Sequence, residues 1–178
     1  MPFFYDLFVR DMISFVKAIS NQHFKVIENL ADTIWKEHYI PIIGEAQVNY
    51  MLSTFQSEKA VEKQVLEGFQ YYIIVYNTKQ VGYIAIKKDS HDLFLSKFYI
   101  LKSERGTGIG RSTLYFIENK ATNLKCKCIT LTVNKENTNT INAYTAMGFE
   151  KLSALTVNIG NGFVMDDYKM IKHLSAKN

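Results

Sequence analysis

Two cysteines, four histidines and no apolar run longer than a strand leave several chemistries without material. Cys126 and Cys128 stand two residues apart on one face of a predicted strand, where a disulfide between them is badly placed. With no further cysteine and no clustered histidine there is no metal-ligating constellation, and two reduced thiols suit a cytoplasmic protein. The longest apolar stretches, such as Tyr71 to Tyr76, are far too short to span a bilayer. Asp6, Arg10 and Asp11 surround a short apolar run at the start, without the basic region and cleavage site of a secretory leader. Lysine and arginine are spread along the chain, and a formal charge of +4 over 178 residues supplies no basic stripe for nucleic acid. There is no linker, repeat or low-complexity tract. The expectation is one domain over residues 12–174, with 1–11 as an N-terminal extension and 175–178 as a tail.

What is present is clear periodicity. Met12 to Ala18 reads as a strand. Ser20 is an N-cap for a helix to about Lys36, with Phe24, Ile27, Leu30, Ala31 and Ile34 on one side, and Pro41 and Gly44 are expected to break it. A second helical region starts at Glu45 and continues through Ser57 to Leu66. Strands follow at 69–76 and 81–87, joined across Asn77-Thr78-Lys79-Gln80, and at 93–101. A helix to about Asn123, a strand at 127–133 and a short helix at 138–147 closed by Gly148 come next. Two last strands, 149–159 and 163–173, pair across Gly160-Asn161-Gly162. The order β-α-α-β-β-β-α-β-α-β-β places the chain in the α/β (α+β) class.

One segment carries most of the functional information. Arg105-Gly106-Thr107-Gly108-Ile109-Gly110-Arg111 lies between the strand at 93–101 and a helix. Glycines at a strand-to-helix turn leave N–H groups bare, and the helix adds the positive end of its dipole, so the turn suits an anion such as a pyrophosphate. Its spacing is not that of a P-loop, which needs Gly-Lys-Ser/Thr, nor of the Gly-x-Gly-x-x-Gly dinucleotide fingerprint with its later acidic residue. About thirty residues on, Leu131-Thr132-Val133-Asn134 leads into Asn137, then Tyr144, and closes with Gly148-Phe149.

The first motif resembles the Arg/Gln-x-x-Gly-x-Gly/Ala loop of the GNAT superfamily of N-acetyltransferases, and the second is similar to the strand, Asn, Tyr and Gly-Phe that follow it in that family. Thr140 stands where the family often has Ala. Thr33 to Tyr39, Gln47, Tyr50 to Leu52 and Ile159 to Tyr168 resemble the PaiA-type spermidine/spermine acetyltransferase group. The resemblance implies a mixed twisted sheet of about seven strands with helices on both faces, and acetyl-CoA as donor. It implies that the backbone of Phe98, Tyr99, Ile100 and Leu101 pairs with the pantetheine arm and that Arg105, Gly106, Thr107, Gly108, Ile109, Gly110 and Arg111 cradle the pyrophosphate. Asn137 would steady the pantetheine, the Ile100 N–H would hold the developing oxyanion, and Tyr144 would be the general acid for the leaving thiolate.

A proton acceptor for the amine is harder to place. Phe94 stands where many relatives carry a glutamate, and Ser96 where others have histidine. Glu37, His38 and Tyr39, at the end of the first helix, are candidates for the acceptor wall, as are Asp166 and Asp167 on a late strand. The expected reaction is acetyl transfer from acetyl-CoA to a primary amine of a small molecule, with a polyamine as one acceptor. A peptide acceptor and a non-catalytic acyl-CoA-binding regulator remain open beside it. Aromatic strands near the C-terminus offer a surface on which two copies could pair as a homodimer.

Overall fold

The computed structural model describes residues 13–174. The expected extension, Met12 and the tail at 175–178 lie outside the described residues. The chain begins with β1 (Ile13–Lys17) and enters α1 (Asn21–Ile43) at Ser20, whose side chain accepts from the His23 N–H, the expected cap.

Pro41 does not end α1. The helix runs on to Ile43, and Gly44, at φ 84°, closes it with its N–H on the Ile40 carbonyl. Proline in the last turn removes only the donor to the Glu37 carbonyl, which costs little so close to the end. The second helical region is also divided. α2 (Glu45–Met51) passes into a π-helical turn at Leu52–Gln56, and Ser57 then caps a separate α3 (Glu58–Leu66) by accepting from the Ala60 N–H. Ser57 is an extended N-cap, so the apolar periodicity that crosses it belongs to two helices.

The strands β2 (Gln70–Tyr76), β3 (Lys79–Asp89) and β4 (Asp92–Ile100) form an antiparallel meander with β1 on its edge. The glycine loop, with a 3₁₀ turn at Lys102–Glu104, leads to α4 (Ile109–Asn123) and then β5 (Cys128–Asn134), which is parallel to β4. The short α5 (Thr138–Ala146) precedes the hairpin β6 (Glu150–Gly160) and β7 (Phe163–His173). One seven-stranded mixed sheet results, in the order β1-β2-β3-β4-β5-β7-β6. Alternate residues of β2 show why helices cover both faces. Tyr71 and Ile73 pack with α1, α2 and α3, while Tyr72 and Ile74 pack with Ile109, Leu114, Ile117 and Ile141 of α4 and α5. β5 starts at Cys128, so Cys126 precedes the strand. It is buried under α4, whereas the Cys128 thiol donates to Asp92 Oδ1 at 2.9 Å, and both are free thiols.

Candidate active site

Strand pairing makes the opening in this fold. β4 and β5 are in register only over Asp92↔Cys128, Leu93↔Ile129 and Phe94↔Thr130. Beyond Phe94 the two strands part, and a cavity of about 590 Å³ lies between them and under α5. A bulge on β4 aids the parting: Ala85 faces Lys97 and Ile86 faces Leu95, so Ser96 is the extra residue, and it lines the cavity. The Leu101 N–H bonds Val81 on β3 at 2.8 Å, and because antiparallel partners alternate, the Ile100 N–H is directed to the other side, toward the gap. The Ile100 carbonyl accepts from Arg105 Nε at 3.1 Å.

The loop beyond has the geometry of an anion cradle. Gly106 (φ 79°) and Gly108 (φ 88°) both occupy the left-handed region, where a side chain is strained, and a Cβ built on either meets nothing within 4 Å. The first hydrogen bond of α4 runs from Ser112 N–H to the Gly108 carbonyl, leaving the N–H groups of Ile109, Gly110 and Arg111 without helical partners. Ile109 is buried in the core, so only its amide can serve the loop. Gly110 lines the cavity, and a Cβ there would touch Met147 and Ile100 at 3.8 and 3.9 Å, ordinary contact.

Side chains from three distant elements complete the walls. Glu37, His38 and Tyr39 come from the end of α1, Lys102 and Arg105 from the loop, and Asn139, Thr140, Ala143, Tyr144 and Met147 from α5 and its end. Tyr144 is fixed between Phe98 and Phe149, at 6.3 and 5.4 Å between ring centroids. Its hydroxyl has no hydrogen-bond partner among the described residues, and burial pushes its pKa well above 10, so it stays protonated. Asn137 is 3% exposed at the N-cap of α5; its Oδ1 lies 3.2 Å from His38 Nε2, and its Nδ2 is buried with no hydrogen-bond partner. His38 is half-buried, and burial, with Arg105 second, lowers its pKa below 6.5 despite that hydrogen bond. Burial pushes Tyr39 up to about 12. Glu37 is exposed on the rim, 3.9 Å from Lys102.

Of the residues singled out in the sequence, Phe98, Tyr99, Ile100, Arg105, Gly106, Gly110, Tyr144, Glu37, His38 and Tyr39 meet around this one cavity. Thr107, Gly108, Ile109 and Arg111 sit in the adjoining loop and helix start, while Leu101 and Asn137 lie beside the lining. Phe94 closes the paired part of β4 and β5, outside the lining. Asp166 and Asp167 alternate across β7: Asp166 is exposed with Lys135 and Thr156, and Asp167 is 3% exposed beside Thr132, with burial raising its pKa to about 6. Two residues near the cavity were not singled out as site residues in the sequence. Thr132 lines the cavity from β5, and Lys97, 8% exposed, donates to Gln64 Oε1 and Ser96 Oγ with no carboxylate beside it. A second depression, about 560 Å³, lies between α1 and the π-helical turn around Glu28, Asp32 and Ser53, away from every predicted site residue.

Residues 30–149 match the model of the acetyltransferase (GNAT) family. The chain belongs to that family. GNAT proteins draw their acetyl group from acetyl-CoA, and this chain is an acetyl-CoA-dependent N-acetyltransferase. No curated protein matches it significantly. Among solved structures, it is similar to the PaiA N-acetyltransferase of Thermoplasma acidophilum in complex with coenzyme A. That match has 17% identity, 92% of this chain and 99% of the other covered, and TM-score 0.76. It is also similar to a GCN5-related N-acetyltransferase from Rhodopseudomonas palustris (17% identity, 94% and 99% covered, TM-score 0.77). A chimera of spermidine N-acetyltransferase SpeG from Vibrio cholerae and hSSAT matches at 16% identity, 90% and 95% covered, TM-score 0.66. At these identities the likeness is one of fold, and the seven-stranded sheet of this GNAT chain agrees with it. The described residues include no helix long and apolar enough to cross a membrane.

Proposed function

We propose that the chain transfers acetyl from acetyl-CoA to a primary amine of a small molecule, by direct attack with both substrates bound. The observation that carries this reading is the gap between β4 and β5, lined by the glycine loop and by Glu37, His38 and Tyr39 together. Acetyl-CoA, when bound, supplies an activated thioester. The residues fit it: the space above Gly106 and Gly108, the partner-free amides of α4 and the inward Ile100 N–H are where a pyrophosphate and an extended pantetheine need them. Arg105, Thr107 and Arg111 flank that loop, Phe98 to Leu101 supply the strand, and the buried Nδ2 of Asn137 is a donor in search of a carbonyl. The Ile100 N–H would stabilise charge on the thioester oxygen, and Tyr144 would act as general acid toward the sulfur.

The acceptor end favours a small cationic molecule. Tyr39 and Tyr99 give it an aromatic wall, and Glu37 is the carboxylate among the lining residues. A polyamine suits both, and likeness in fold to PaiA and SpeG proteins points the same way. Placement in the cytoplasm, where acetyl-CoA is made and used, fits the free thiols. A homodimer through the exposed edge strand β6 is compatible with this arrangement. The test is a screen of polyamines, amino acids, aminoglycosides and peptides for release of thiol from acetyl-CoA. Turnover with a small amine supports the reading; turnover with peptides alone, or none at all, refutes it.

A further inference from the structure

We propose that His38 is the proton acceptor for the attacking amine, and that Asn137 is its positioning residue. The inference rests on the acetyltransferase reading above and assigns the one role which that reading leaves open. It starts from a removal: at Phe94 there is no carboxylate, and Phe94 lies outside the cavity lining.

The other ionisable groups that could take a proton near the cavity are worse placed. Tyr39 and Tyr99 are held protonated by burial. Glu37 is exposed on the rim beside Lys102. Asp167 lies beside Thr132 and does not itself line the cavity. Lys97, lowered by burial to about 8, reaches the cavity only through Ser96 and is bound to Gln64. His38 lines the cavity directly. Its Nε2 faces the Asn137 carbonyl oxygen at 3.2 Å, and since that oxygen can only accept, the ring carries its hydrogen on Nε2. Nδ1 then holds a lone pair.

The surroundings keep this state through neutral pH. Burial acts first, and the positive charges of Arg105 and Lys102 from the loop oppose protonation, against the Asn137 bond and the Glu37 charge from α1. The neighbouring Tyr39 and Tyr144 hydroxyls stay neutral. The amine, its first proton already left in solvent, forms the new C–N bond while its second passes to Nδ1. As the C–S bond breaks, Tyr144 gives a proton to the sulfur. Solvent then carries the proton from the imidazolium back to Tyr144, so the neutral amine yields amide and thiol with no net charge change.

The experiment uses the full chain, acetyl-CoA and the best amine of the screen. Ring ¹⁵N spectra of the free protein should show His38 as the Nε2–H tautomer, titrating below 6.5; an Nδ1–H tautomer would mean that the Asn137 amide is turned over, and ends the proposal. His38→Gln keeps a donor for Asn137 without a basic lone pair. It should lower kcat roughly 10²-fold, leave acetyl-CoA affinity unchanged by calorimetry, and remove the acidic break in kcat/KM. Asn137→Asp should move that break to higher pH, because a carboxylate favours the imidazolium. An unaltered kcat in His38→Gln, or a break that survives there and vanishes in Lys97→Met, overturns the assignment. Absence of any turnover in the unmodified protein would instead bring down the functional reading itself.

Discussion

Two kinds of construction meet in the one cavity. The part proposed to hold acetyl-CoA is backbone: the strand edge at Phe98 to Ile100, two left-handed glycines and the first amides of α4. The part proposed to hold the amine is made of side chains from α1, β4, β5 and α5, and the His38–Asn137 bond, across 99 residues of sequence, ties the two parts together. A backbone site tolerates any side chain that leaves the amides bare, so it binds one ligand through many sequences. A side-chain site can be changed one residue at a time. The acetyl donor should therefore be held by features that few substitutions alter, and the acceptor by features that many do.

Substitutions at the donor end should have the largest effects. Gly108→Glu puts a strained, negative side chain over the amides, and acetyl-CoA binding by calorimetry should be lost while the melting transition persists; retained affinity would show that the loop is not the cradle. Tyr144→Phe, which removes one hydroxyl from the cavity wall, should reduce kcat roughly 10²-fold or more with little change in acetyl-CoA affinity. A kcat equal to that of the unmodified protein would remove the acid role. Gly110→Ala separates conformation from access. Its φ is not positive and its Cβ meets only ordinary contacts, so stability should hold while acetyl-CoA affinity drops by roughly tenfold or less, at most about 1.4 kcal/mol.

Lys97 lies outside the cavity lining, against Gln64 of α3 and the rings of Phe69 and Tyr71. Its pKa falls on folding from 10.5 to about 8, so between those values the unfolded chain binds more protons and stability must rise with pH. Below about pH 8 both states are charged and the gain is absent. Full release amounts to at most about 3 kcal/mol. Lys97→Met should flatten this rise in denaturant titrations between about pH 8 and 9.5, short of the range where unfolded tyrosines ionise. Parallel curves for the two proteins would place the lysine charge in solvent.

The same contrast explains what could be read from the sequence. The Ser20 cap, the glycine loop and the Gly148 stop are local, and each falls where its residues put it. Their information lies within a few residues of chain. Pro41 misleads because its cost depends on its distance from the helix end, which the tertiary position of Gly44 decides. Ser57 was hidden by an apolar periodicity that continues through it. The bulge at Ser96 depends on the register of β3 against β4, and neither strand reveals that alone. The burial of Lys97 and the His38–Asn137 bond are contacts between distant elements. Motif spacing placed Tyr144 at the cavity, yet nothing in the motif said that His38 would face Asn137.

Amide hydrogen exchange with and without acetyl-CoA tests the backbone-built donor end most directly. Exchange should slow at Ile100 and at Ile109 to Arg111, the amides left without partners in the fold, with α1 little changed. Unchanged exchange at those amides, with protection appearing at another surface, would contradict that assignment.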